Sequence, residues 1–183
     1  FEDEIAHVIS LYEALIGDGS KVFFSEYGEG STGNNKWYEI YNGYNFEIDL
    51  AKYSVRLYSN GATTAGNTQS FEGHRLASGE VLVIYNSQSS FPDILVEGDL
   101  TSNTTFFNGD DALGLYMGET LIDLIGVIGE DPGSNWPVGT DSTADHTLVR
   151  NSSITEGNDT FTASEWTAYD ANTTDYIGSH TQD

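Results

Sequence analysis

The sequence contains no cysteine, which removes disulfides, thiolate metal sites and cysteine nucleophiles together. It has only 6 lysines and arginines against 29 aspartates and glutamates, giving a formal net charge of -23. A nucleic-acid surface needs basic side chains to neutralise phosphates, and an anionic membrane attracts the same residues, so neither is an expected partner. No apolar run approaches the roughly 20 residues that span a bilayer, and membrane insertion is not expected. His7, His74, His146 and His180 stand singly, without the close spacing of zinc ligands. Nucleotide-binding glycine patterns are also missing: Gly28-Glu29-Gly30 runs on into Ser-Thr-Gly-Asn, a hairpin-like loop rather than a helix start.

What the chain does have is rings. Its 3 Trp, 11 Tyr and 9 Phe can build a sizeable core without disulfides, because each buries about 150–250 Å². The 183 residues suit one sandwich domain, expected over 21–183, with a helical extension over 1–20. In that extension Ile5, Val8, Ile9, Leu11, Tyr12, Leu15 and Ile16 recur at spacings of three and four. Acidic residues fill the first turn, and Gly17-Asp18-Gly19 stops the pattern.

From Val22 the period changes to two. Strands are predicted at Lys21–Tyr27, Trp37–Asn42, Tyr53–Ser59, Gln69–Phe71, Val81–Tyr85, Ile94–Glu97, Leu113–Met117, Thr120–Val127, Thr147–Arg150 and Trp166–Tyr169, with Gly, Asn, Ser and Asp clusters between them. Short strands at this spacing, with no helical pattern between them, predict an all-β, antiparallel sandwich. Asp141–Asp145 and Thr155–Ser164 read as surface loops, and Ser179–Asp183 as a polar tail.

The acid excess has two readings. One is a like-charged, soluble surface; the other is a set of carboxylates that hold calcium, which takes hard oxygen ligands. The most site-like run is Phe107-Asn108-Gly109-Asp110-Asp111, with Asp131, Asp141 and Asp145 as further calcium ligands if their loops converge. The competing reading is turn chemistry, in which Asp110 and Asp111 accept hydrogen bonds from nearby amides. Glu26 and Glu39, inside strands, are either an acid–base pair or a buried polar pair tied to loop amides, Lys36 or Arg56. Ser142, Asp145 and His146 are too close in sequence to form a hydrolase triad, and no nucleophile elbow is present. Arg150, one of three arginines, is expected to bridge to Asp145 or Asp123. Trp136, Trp166, Tyr169 and the group Tyr38, Tyr41, Tyr44 and Tyr53 raise a sugar-stacking alternative if the rings lie on an exposed face.

Several ordered motifs resemble the lamin-tail domain family. They are Phe24–Ser31, Asn35-Lys36-Trp37-Tyr38-Glu39-Ile40-Tyr41-Asn42, Asp49–Val55, Leu76–Ile84, Phe107–Ala112, Leu121-Ile122-Asp123, Asp131-Pro132-Gly133 and Ser142–Arg150. The resemblance implies an Ig-like β-sandwich module of a secreted or cell-surface bacterial protein, often an accessory beside a nuclease, phosphatase or other hydrolase. It brings no catalytic residues. The expected role is therefore non-enzymatic binding to a protein or surface, with calcium-assisted binding of a polysaccharide as the alternative.

Overall fold

The computed structural model describes residues 2–183, with the side chain of Glu2 outside the description. A helix, α1 (Glu2–Ile16), precedes fourteen strands. In chain order these are β1 (Val22–Glu29), β2 (Lys36–Asn42), β3 (Ile48–Asp49), β4 (Tyr53–Tyr58), β5 (Asn67–Ser70), β6 (Arg75–Leu76) and β7 (Val81–Tyr85). There follow a short helix α2 (Pro92–Glu97), then β8 (Leu100–Thr101), β9 (Ala112–Met117), β10 (Thr120–Ile125), β11 (Pro137–Val138), β12 (Asp141–Ser142), β13 (His146–Arg150) and β14 (Trp166–Asp170).

Two sheets form the sandwich. One has the order β14-β13-β1-β2-β7-β8, the other β10-β9-β4-β5. All pairings are antiparallel except β7 with β8. Alternation along each strand divides the side chains between two faces. Phe24, Tyr38, Ile40, Leu82 and Ile84 point between the sheets, where they meet Val55, Leu57, Leu113 and Leu115. Trp37 and Val83, with half-buried Val81, point to the opposite face of the six-stranded sheet.

That opposite face is not left to solvent. Ile94 of α2 and Ile177 near the C-terminus pack onto Trp37 and Val83. Ser179–Asp183, expected to be a polar tail, continues from Ile177 over the sheet as a strap. The His180 ring meets Tyr41 edge-on at 4.8 Å and Phe23 at 5.9 Å. Gln182 donates to the Ile154 carbonyl, and the Asp183 amide to that of Ser152. Ile177 is buried and His180 half-buried, and the polar composition of Ser179–Asp183 gave little sign of either anchor.

The Ile94–Glu97 run is a helix rather than a strand. Pro92 sits at its first turn with φ already suited to a helix, Asp93 follows beside the positive end of the dipole, and only Ile94 is buried. Six residues are too few for apolar periodicity to distinguish the two forms.

Candidate functional site

The Phe107–Asp111 loop enters β9 at the edge of the sandwich and is held mainly by its own carboxylate. Asp111, nearly buried, accepts from the Asn60 amide through Oδ1 and from the Asn108 amide through Oδ2, both at 2.8 Å. Thr143 fastens the loop from the other side by donating its hydroxyl to the Gly109 carbonyl. The cation facing the loop is a side chain of the protein. Lys36 Nζ donates to the Phe107 carbonyl at 2.5 Å and to Asn108 Oδ1 at 3.0 Å, and lies 3.0 Å from Glu29 Oε1.

The other proposed calcium ligands are spent elsewhere. Asp131 is exposed and accepts from the Gly133 amide in its own turn. Asp141 lies 3.7 Å from His146 Nε2. Asp145 occupies the left-handed region at φ 53, on an exposed corner. Asp110, half-buried, stays on the Phe107–Asp111 loop. Among the described residues no three of His, Asp or Glu come together as a metal-holding group. Asp110, Asp111, Asp131, Asp141 and Asp145 therefore do not assemble the expected calcium site, because turn amides take up the Asp111 and Asp131 carboxylates and the loop already has an ammonium.

Glu26 and Glu39 are direct cross-strand partners on β1 and β2 and are 1% and 0% exposed. Glu26 Oε1 accepts from the Trp37 indole at 2.9 Å, and Glu39 accepts from Ser25 Oγ at 2.6 Å and from the Gly178 amide at 2.8 Å. Burial pushes both carboxyls up to about 8, with the neighbouring Glu26 adding to the effect on Glu39. Neither is paired to Lys36 or Arg56. Sealed beneath the C-terminal strap, the pair presents no acid and base to a substrate.

Arg150 bridges to Asp123 rather than Asp145, through Nη2 at 2.8 Å. The same carboxylate accepts from the Phe24 amide at 2.8 Å and the Asn158 amide at 3.0 Å. The Phe24 amide is available because β13 pairs with β1 only over Glu26–Gly28, which leaves the N–H of Phe24 beyond the end of that ladder. Asp123, on β10, thus ties one sheet to the other.

The aromatic alternative is corrected by burial. Trp136, Trp166, Tyr38, Tyr41, Tyr44 and Tyr53 are all buried and Tyr169 is half-buried, so these rings make no exposed stacking platform. Exposed apolar surface lies instead on α1. Among the described side chains of that helix only Tyr12 and Ile16 turn inward, while Ile5, Val8, Ile9, Leu11 and Leu15 are between 46% and 64% exposed. A groove of about 440 Å³ runs beside them, lined by Ile9, Tyr12, Ile16, Ala51 and Tyr53 among others. The mixed three–four spacing signalled this surface, but composition could not tell which side would stay uncovered.

The two antiparallel layers define an all-β, Ig-like sandwich module. Residues 17–129, more than half of the chain, match the family model of the lamin tail domain. The chain belongs to the lamin tail domain family. No curated protein sequence matches it. Among solved structures, a DUF4876 family protein from Bacteroides thetaiotaomicron VPI-5482 is similar at 14% identity and a TM-score of 0.41, over 72% of this chain and 62% of that one. The chain therefore spans less than two thirds of that protein's length. The matched region begins after α1, so the exposed helix is an addition to the part that the family defines.

Proposed function

We propose that the chain is a non-catalytic docking module of a secreted or cell-surface bacterial protein, which holds a basic, amphipathic helical segment of a partner polypeptide against α1. The observation that carries this reading is the outward apolar row on α1: Val8, Leu11 and Leu15 are 64%, 56% and 60% exposed. Contiguous apolar surface is unfavourable in water, and in soluble proteins it marks interaction sites. The adjoining groove offers a seat for the apolar ridge of a partner helix.

Charge selects the occupant. Asp3 and Glu4 accompany the apolar row, Glu13 is paired with Lys52 at 2.8 Å, and the last turn of α1 has no basic residue. A second copy would bring another net charge of -23 towards the first, whereas basic residues beside a partner's ridge are attracted. Membership of the lamin tail family supports a non-catalytic module in general. The secreted context rests on the likeness of the sequence motifs to bacterial members.

Fluorescence anisotropy with a synthetic Leu/Lys amphipathic helical peptide tests the proposal on the parent chain and on a Val8→Gln, Leu11→Gln, Leu15→Gln variant, which keeps the charge and the helix formers. Binding at least about ten-fold tighter to the parent is expected, equivalent to about 1.4 kcal/mol. Equal binding overturns the proposal. So does a parent dimer in sedimentation velocity that the variant lacks, because the face then belongs to a second copy.

A further inference from the structure

Lys36 opens β2 with its side chain only 8% exposed, an uncommon setting for a strongly hydrated ammonium. Glu29, its cross-strand partner on β1, lies 3.0 Å from Nζ, and Asn108 Oδ1 lies at the same distance. The stacked rings of Tyr27 and Phe107, 4.6 Å apart, lie beside the group, with Lys36 Nζ 5.7 Å from the Phe107 centroid.

A resting ammonium would need only oxygen neighbours, and two features go beyond that. Oε2 of Glu29 is buried and accepts no close hydrogen bond, although the Asp145 amide favours the ionised carboxylate. Burial raises the Glu29 carboxyl against the opposing pull of Lys36. In addition, the amide carbon of Asn108 is one bond from the oxygen that Nζ touches, so amine and amide are neighbours in one site.

We propose that Lys36 and Asn108 join in an intramolecular isopeptide bond, with Glu29 as the proton shuttle. Glu29 takes a proton from the Lys36 ammonium and frees the nitrogen lone pair. Nζ attacks Cγ of Asn108, a C–N bond forms, and the carbonyl electrons move onto Oδ1. As the carbonyl reforms, the bond from Cγ to Nδ2 breaks and Glu29 returns its proton to the departing nitrogen. Glu29 then carries the surplus proton from the new amide nitrogen to the released ammonia. The balance is Lys–NH3+ plus Asn–CONH2 giving Lys–NH–CO–Asn plus NH4+, with no oxidant or co-reactant. Asn108 is itself exposed, which gives the ammonia a path to water.

A competing route is ring closure onto the Gly109 nitrogen. The backbone resists it: a Cβ placed on Gly109 would lie 2.5 Å from that of Ala144, and Thr143 holds the Gly109 carbonyl. The isopeptide bond would join the six-stranded sheet to the loop that enters β9 of the other sheet, clamping the two layers covalently.

Intact-mass spectrometry and protease peptide mapping test this on the parent, Glu29→Gln and Asn108→Ala chains after prolonged incubation at neutral pH. The parent is expected to be lighter than its sequence by one ammonia, about 17 Da, with the Lys36 and Asn108 peptides joined. Both variants are expected at full sequence mass, with far-UV circular dichroism unchanged, because each leaves Lys36 two oxygen partners. A parent at full mass overturns the proposal. Loss of ammonia without joined peptides also overturns it, assigning the loss to a ring at Asn108–Gly109, and a joined Glu29→Gln chain removes Glu29 from the reaction.

Discussion

Glu26 and Glu39 face each other across the β1–β2 ladder, both sealed from water, and only Glu39 reaches the C-terminal strap through the Gly178 amide. Two carboxylates in one buried position cannot both ionise without repulsion, so the arrangement holds protons that free carboxyls would have lost.

Stability should therefore fall as the pH rises. Both carboxyls move from an ordinary value of 4.5 in the unfolded chain to about 8 in the folded one, so the folded state binds more protons between these values. Their contribution is fully present below about 4.5 and is lost progressively up to about 8. Glu26→Gln removes the charge while leaving an oxygen for the Trp37 indole. Thermal melts should show the parent losing several degrees over this range and the variant losing distinctly less, at about 1.4 kcal/mol per pKa unit. Parallel pH profiles would sink this account.

The Asp123–Arg150 pair should behave as a buried tie between layers. Arg150→Met leaves the Asp123 carboxylate buried with only its amide donors, and the expected loss is about 3–5 kcal/mol by denaturant titration. Arg56→Met, which breaks an ion pair whose Glu119 partner is 88% exposed, should cost less than about 1 kcal/mol. Similar losses for the two variants would contradict the assigned role of Asp123.

Calcium added to chelator-treated protein should leave the melting temperature where it was. A ligand bound only to the folded state must raise stability by mass action. Here Asp131 and Asp141 serve separate turns and contacts, and Lys36 supplies the positive charge at the Phe107–Asp111 loop. A concentration-dependent rise would show that the loops rearrange around the ion.

The strands were legible where side chains alternate against a core. Val81–Tyr85 falls where the pattern places it, and β2 and β4 agree to within one residue at an end. The Asp123–Arg150 tie was legible for a different reason: with so few bases, Arg150 had few alternatives to a carboxylate partner. Three features stayed hidden. The α2 segment is too short for periodicity to name, and the strap depends on Ile177 and His180 reaching a face that lies far away in sequence, on Phe23, Trp37, Tyr41 and Val83. The Lys36–Glu29–Asn108 group is assembled from a ladder and a distant loop, and the carboxylates of that loop drew attention away from its amide.

The strap also orders events in time. Residues 177–180 follow β1, β2 and β7 in the chain and dock on the face that these strands build. Until then Glu26 and Glu39 meet water and carry ordinary charges. Closing the outer face must therefore draw protons from the medium, making strap docking less favourable in alkaline surroundings than in acidic ones.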